Sequence, residues 1–551
     1  MRKLVVGLLA LLICCAPALG QGKKAKPTDI GWEATGKQGA VSAGGAEAVA
    51  AGLARLKAGG NAVDSAVATI FALTVTDSER VCFGGEVPIM VYDAKRNVVE
   101  LVCGLGTAPK LATREYFEKR KGGIPAKGVE SAAVPGLVDG CLTALDRYGT
   151  ITFADAVAPT LDLLDRDQKP WHADLARTIR RMIEAEHQSP NDRQRGLRLV
   201  ADFFYRGPLA KELDQWCRDH GGLIRYTDMA THVTRIEDPL SVDYRGHTVY
   251  KCGVWNQGPY LLQTLRLLEG YDLKAMGHNR PDTIHVMAEA MKLALADRDA
   301  YYADPLFVDV PTEALLSKKY ADLRRSLIDM KKASQVRQPG DPRNGKALLD
   351  HPPAEGPGGD ASRDTTTCVV ADKFGNVVAA TPSGFYGVVA GKTGVVLGTR
   401  LQSFNIWKGH PNCIAQGKRP RITLTPGLVF KAGKPILAVS VAGGDLQDQT
   451  ALQVIVNCLD FGMDAKEAVT AARFATKHHL GSFRQTPAEL GSLLLYREFA
   501  KTTFADLTAR GHKITTSMKH FAEPCVIAID QKTGVMRAAG DPRAKRHSAA
   551  Y

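Results

Sequence analysis

The feature that most constrains this chain is a boundary at residue 365. From about residue 336 to 364 the sequence carries Pro339, Pro342, Pro352, Pro353 and Pro357 with Gly356, Gly358 and Gly359, and at Thr365 it turns into a β-branched, apolar run that reaches Ala371. Proline removes backbone donors and glycine adds freedom, so the first stretch predicts an exposed, flexible linker; the second predicts a buried strand. Downstream, a turn at Asp372 to Asn376, strands at Val377 to Thr381, Gly394 to Leu397 and Ile436 to Val441, the pair Gly443-Gly444 and a helix from Gln447 to Phe461 are expected. Upstream, helices lie on either side of Gly59-Gly60-Asn61, the second apolar nearly all round. Strands at Val87 to Tyr92 and Val98 to Val102 flank a turn. Ile284, Met287, Ala288, Met291 and Leu295 mark a long helix. The chain reads as α/β (α+β), helix-rich before the linker and strand-rich after it.

Composition fits a protein with a sizeable core: 45% of the 551 residues are hydrophobic and 23% charged, which excludes global disorder. The net charge of +13 raises nucleic acid as a partner, but Lys and Arg are dispersed. Their densest clusters, at Lys23 to Lys26 and Arg543 to Arg546, are terminal and lack interleaved aromatics, so no nucleic-acid partner is expected. Residues 1–20 read as an export leader, with Arg2 and Lys3, an apolar run from Leu4 to Cys15 and a small-residue site at Ala18-Leu19-Gly20. That run is too short to span a bilayer, which takes about 20 residues. The expectation is a periplasmic or secreted protein, starting near Gln21, without membrane insertion. The cysteines beyond the leader form no CxxC and signal neither zinc nor a disulfide framework.

Familiar catalytic signatures are missing. Gly387 to Thr393 is one residue short of a phosphate loop and no helix pattern follows it. His285 and Glu289 stand at i and i+4 without an HExxH and read as a helix-surface pair; GxSxG does not occur. No metal and no cofactor are expected. What remains is Asp364-Thr365-Thr366-Thr367-Cys368-Val369-Val370, a hydroxyl-rich strand start behind the linker, which β-propensity alone could also produce.

A series of motifs places that strand start in a wider pattern. They are Gly59-Gly60-Asn61-Ala62-Val63-Asp64, Gly84-Gly85, Ala108-Pro109, Val134-Pro135-Gly136, Arg147-Tyr148-Gly149, Glu289-Ala290-Met291-Lys292 with Ala296-Asp297-Arg298, and Asp304-Pro305. After the linker come Thr365-Thr366, Asp372 with Gly375-Asn376, Gly443-Gly444, Arg473-Phe474 and Asp541-Pro542-Arg543. In this order, across nearly the whole mature chain, they resemble the γ-glutamyltransferase family of N-terminal-nucleophile hydrolases.

The resemblance implies a precursor that cuts itself between Asp364 and Thr365. A large subunit (21–364, ending in the linker of about 336–364) and a small one (365–551) would share a four-layer αββα sandwich. Thr365 would be the nucleophile, since a free α-amine, with a reference pKa of about 7.7–8.0, supplies the base that a threonine hydroxyl lacks. Gly443 and Gly444 would form the oxyanion hole. Ser383 stands where the family has a threonine that binds the nucleophile's amine.

Departures from the pattern cluster where the glutamyl group is held. Leu105 stands in place of the arginine for its α-carboxylate, Ser403 in place of the acidic residue for its α-amine, Phe385 in place of an asparagine, and Ile422-Thr423 in place of a serine pair. Arg400, in the loop before Phe404, is a candidate anion anchor, with a solvated surface arginine as the alternative. The reading is therefore an exported amidohydrolase or acyltransferase acting on a small-molecule amide whose acyl group is not γ-glutamyl. A true γ-glutamyltransferase, or glutathione hydrolase, and an unprocessed non-catalytic binding protein stand as alternatives.

Overall fold

The computed structural model describes residues 30–166, 168–349, 365–384, 387–519 and 521–551. Two seven-stranded sheets dominate it. In spatial order the first contains His547–Ala550, Gly39–Ala43, Cys368–Asp372, Val377–Ala380, Val87–Asp93, Val98–Gly104 and Arg235–Glu237. The second contains Glu33–Gly36, Val535–Gly540, Glu523–Asp530, Lys434–Ala442, Gly427–Lys431, His247–Lys251 and Leu240–Tyr244. Both sheets draw strands from both sides of residue 365, so neither part of the chain could complete a sheet alone.

The layering follows from which side chains each strand buries. Val369 and Ala371 join Met90, Leu101, Leu428, Ala438 and Ile527 in an apolar layer between the sheets. Their neighbours Cys368 and Val370 face the opposite way, onto helices Ala46–Lys57 and Ala62–Thr76. The second sheet does the same: Val439 and Val441 lie against helices Pro259–Leu268, Pro281–Tyr301 and Gln447–Leu459. A strand covered on both faces needs a continuous apolar run rather than an alternating one, which is how Cys368-Val369-Val370-Ala371 reads. The result is the four-layer αββα sandwich.

Local signals account for the elements. Asn61 caps Ala62–Thr76, accepting from Val63 N (2.9 Å) and Asp64 N (3.0 Å), while Asp64 accepts from Asn61 N. Asp372 accepts from Ala62 N at 2.7 Å, joining this buried helix to the end of the strand that follows Thr365.

Two expectations need correction. Residues 336–349, expected as flexible linker, are packed: Gly340 N donates to Asp297 at 2.8 Å, Tyr301 donates to Gly340 O at 2.7 Å and Arg324 to Gln338 O at 3.0 Å. Residues 350–364 lie outside the described part of the chain, as do the leader and Phe385. Thr365 to Thr367 is not regular strand either, since the ladder begins at Cys368 and Thr365 makes only an isolated bridge to Ser383. Among the described residues, no helix is long and apolar enough to cross a membrane.

Candidate active site

Thr365, Ser383 and Glu86 lie side by side at one end of the first sheet, linked by antiparallel bridges. All three are buried. Side chains along an extended segment alternate, and Thr367 Oγ1 donates to Cys525 Sγ (3.1 Å) on the second sheet, so Thr365 shares that inward face. Across the gap, Lys434–Ala442 runs into Gly443 (φ 136°) and Gly444 (φ 57°). Both angles favour glycine, and a Cβ on Gly443 would sit 3.1 Å from Phe521 O.

Gln447, the first residue of the following helix, connects the two sides. With its amide oriented to satisfy every neighbour, Nε2 donates to Val441 O (2.8 Å) and Thr423 O (3.0 Å). Oε1 then accepts from Gly444 N (3.2 Å) and from Thr365 Oγ1 (3.2 Å). One carboxamide oxygen thus lies within reach of both the threonine hydroxyl and a backbone N–H. Behind it, Gln257 donates to Thr423 O (3.4 Å) and Gly444 O (3.3 Å), and Arg298 donates to Gln257 Oε1 (3.0 Å) and Asp445 Oδ1 (2.7 Å). Burial raises the Asp445 pKa, but Arg298, His479 and Arg421 outweigh it and hold the carboxyl well below its usual range.

A ring of four charges braces the threonines from the other side. Arg80 pairs with Asp77 (3.3 Å) and Glu523 (2.5 Å), and Arg546 pairs with Asp77 (3.3 Å) and Glu523. Arg80 also donates to Thr365 O (3.4 Å), and Arg546 to Thr366 Oγ1 (3.0 Å). Two of these residues precede the 365 boundary and two follow it.

Of the residues singled out in the sequence, Thr365, Gly444 and Thr423 converge on Gln447, with Gly443 next in the chain. Arg400 is neither solvated nor free. It is 4% exposed, its Nε is bonded to Glu86, Nη2 donates to Ser383 Oγ (2.9 Å) and Nη1 to Ser403 Oγ (3.5 Å). Burial pushes the Glu86 carboxyl upward, against the pull of Arg400. Leu105 is buried in the inter-sheet layer with Trp255 and Ile422. His285 and Glu289 are buried rather than on a helix surface. Their ligand atoms and that of His512 lie within 4.8 Å of one another, yet His285 bonds His512 (2.8 Å) and Asp329 O (2.9 Å), while Glu289 bonds Lys292 (2.6 Å) and Ser334 N (3.0 Å). With these bonds in place the group offers no free carboxylate for a metal. Sequence reading missed Gln447 and the charge ring. Only Gln447 left a signal, as a polar residue opening a buried helix three positions after a glycine pair.

A buried threonine at a sheet end, facing a glycine turn across an αββα sandwich, defines an N-terminal-nucleophile hydrolase. The sequence matches the family model described as gamma-glutamyltranspeptidase over residues 48–194 and 168–551, and the chain belongs to that family. It is 33% identical to the acylase ACY 1 proenzyme of Pseudomonas sp. (strain SE83), with 88% of each chain covered. It is 32% identical to the glutathione hydrolase proenzyme of Escherichia coli (strain K12), covering 92% of this chain and 90% of that one. The solved cephalosporin acylase from Bacillus halodurans superposes with a TM-score of 0.79 at 27% identity, covering 98% of this chain and 99% of that one.

Proposed function

We propose that this chain is an exported proenzyme that cleaves itself between Asp364 and Thr365 and then hydrolyses or transfers the acyl group of a small amide through an acyl-Thr365 ester. The observation that carries this reading is the Gln447 carboxamide oxygen, 3.2 Å from Thr365 Oγ1 and 3.2 Å from Gly444 N. An amide oxygen placed there fits between a nucleophilic hydroxyl and a backbone donor, as a substrate carbonyl must.

In the mechanism, the α-amine released by cleavage takes the proton of Thr365 Oγ as the oxygen attacks the amide carbon. The N–H groups of Gly443 and Gly444 hold the developing oxyanion, one such donor being worth about 3–4 kcal/mol. The amine then protonates the leaving nitrogen, and water or an acceptor amine attacks the ester. Ser383, fixed by Arg400, is placed to orient the amine. The charge ring steadies Thr365 and Thr366 from behind. The leader sequence supports export.

Relatives named both acylase and glutathione hydrolase leave the acyl group to be read from the pocket. Leu105 and Ser403 supply no charge, and Arg400 is already paired with Glu86, which favours an acyl group other than γ-glutamyl. The test is to incubate the protein with γ-glutamyl and simple acyl anilides, quench in acid, and weigh the peptide that begins at Thr365. A mass increment of one acyl group on that peptide is expected from the preferred substrate. Turnover with no acylated Thr365 peptide under any quench would refute the ester.

A further inference from the structure

Cleavage before Thr365 would turn the middle of a chain into an end. In the uncut chain Thr365 is tethered on both sides; in the cut protein it is tethered through Thr366 alone, and chain ends fray unless something ties them down. Thr366 N donates to Pro382 O (3.0 Å) and Gly44 N donates to Thr367 O (3.2 Å), so the second and third residues of the new end are held by backbone bonds. For Thr365 the tie comes from a side chain: Arg80 Nη1 donates to its carbonyl at 3.4 Å. The hydroxyl of Thr365 goes elsewhere, to Gln447, so Arg80 grips the residue without touching its reacting atom.

Arg80 stands in the turn that follows helix Ala62–Thr76, with its N–H on Asp77 O (2.9 Å). Its own carbonyl accepts from Gly384 N (3.0 Å), next to Ser383, the residue that bridges Thr365. One residue thus holds both sides of that bridge, Gly384 by its main chain and Thr365 by its guanidinium. The guanidinium is fixed in turn by Asp77 (3.3 Å) and Glu523 (2.5 Å). Glu523 lies opposite Ala442 in the second sheet, one residue before Gly443, and a Cβ on Gly443 would meet Phe521 O and Ala522 just before Glu523. Arg80 therefore connects the candidate nucleophile to the strand that carries the glycine turn. The surroundings are closely fitted, since a Cβ on Gly44 would collide with Thr366 Oγ1 and Arg546 Nη1.

We infer that Arg80 is a positioning residue for the new chain end: it holds the Thr365 carbonyl after cleavage and so keeps the hydroxyl of Thr365 aligned with Gly443 and Gly444. This rests on the reading of Thr365 as the terminal nucleophile. Its consequence is asymmetric. In the precursor the peptide before Thr365 already limits the residue's movement, so self-cleavage depends little on Arg80. In the cut protein the guanidinium takes over from that lost tether, so turnover depends on it strongly.

The experiment compares wild type, Arg80→Gln and Arg80→Lys in three measurements: the rate at which the precursor is cut, turnover of the acyl anilide that wild type prefers, and hydrogen exchange of the peptide beginning at Thr365 in the cut protein. Arg80→Gln is expected to lower kcat at least about tenfold, the loss of one charge-assisted hydrogen bond, with KM within about twofold and the cutting rate within about threefold of wild type. Arg80→Lys, which keeps a charged donor, should recover part of the loss in kcat. In cut Arg80→Gln protein the amides of Thr366 and Thr367 should exchange at least about tenfold faster than in wild type, while those of the strand Lys434–Ala442 keep their protection. Exchange needs no substrate and decides the point alone if none of the anilides is turned over; if Arg80→Gln yields no folded protein, Arg80→Lys is judged by the same asymmetry. Cutting and turnover slowed together, or kcat and exchange equal to wild type, overturns the inference. A wild-type chain that is uncut, or cut elsewhere than before Thr365, refutes the underlying reading; a chain cut there without the asymmetry refutes only the role of Arg80.

Discussion

Thr365 Oγ1 and the carboxamide of Gln447 lie 3.2 Å apart, and the same carboxamide oxygen accepts from Gly444 N, so the side chain of one helix-opening residue joins the candidate nucleophile to the candidate oxyanion hole. The contact orients the hydroxyl before substrate arrives. Gln447→Ala should lower kcat by about ten- to a hundredfold, the range for losing a hydrogen bond of roughly 1.5–3 kcal/mol at a reacting group, with KM less affected. Gln447→Glu keeps an acceptor but loses the amide donor to Val441 O and Thr423 O, and should recover less than half of the logarithmic loss. Steady-state kinetics on purified variants decide; equal kcat in all three proteins contradicts the role.

The Arg400–Glu86 pair predicts a stability effect where the sequence suggested a recognition effect. Both side chains are 4% exposed. Glu86→Gln strands a buried guanidinium and should destabilise the protein by about 3–5 kcal/mol, whereas the double change Glu86→Gln with Arg400→Gln should recover part of that loss. Urea unfolding provides the numbers. An additive pair of losses would mean that the two groups act independently.

Activity should rise with pH. Only the neutral α-amine of Thr365 accepts a proton, so kcat/KM should increase with pH with an apparent pKa near the free-amine value of about 7.7–8.0. Acetylating the amine of the small fragment should abolish turnover. A flat profile between pH 6 and 9 counts against the amine as base.

Stability should fall on the acid side. Burial lowers His410 to about 4 and His478 and His512 to about 3, from an ordinary value of 6.5. These rings are neutral in the folded protein and protonate more readily when it unfolds. Their contribution is therefore complete above pH 6.5 and is lost as the pH drops towards 4 and 3. Tm measured from pH 7.5 to 4 should decline below 6.5, and His410→Asn should flatten that decline. An unchanged slope in the variant would mean that other groups set it.

Much of this was legible in the sequence, because the strongest signals were local. The run Cys368 to Ala371 has the continuous apolar character of a strand covered on both faces, and the residues after Asn61 read as a buried helix apolar nearly all round. Gly443 and Gly444 stand out because only glycine is at ease at both angles. Partnerships across the sheets were not legible. Nothing near Arg400 announces Glu86, 314 positions away, and nothing near Arg80 announces Glu523, 443 positions away. Proline content misled at 336–349, where backbone groups find partners on the helix Pro281–Tyr301 and the neighbouring Arg324 despite the composition.

The most direct test of the account is the mass and N-terminal sequence of the fragments in purified protein, run beside Thr365→Ala. Two fragments are predicted, the smaller beginning Thr365-Thr366-Thr367 and reaching Tyr551, while Thr365→Ala stays a single, inactive chain. A small fragment that begins at any other residue, or an uncut chain that turns over an amide, would contradict it.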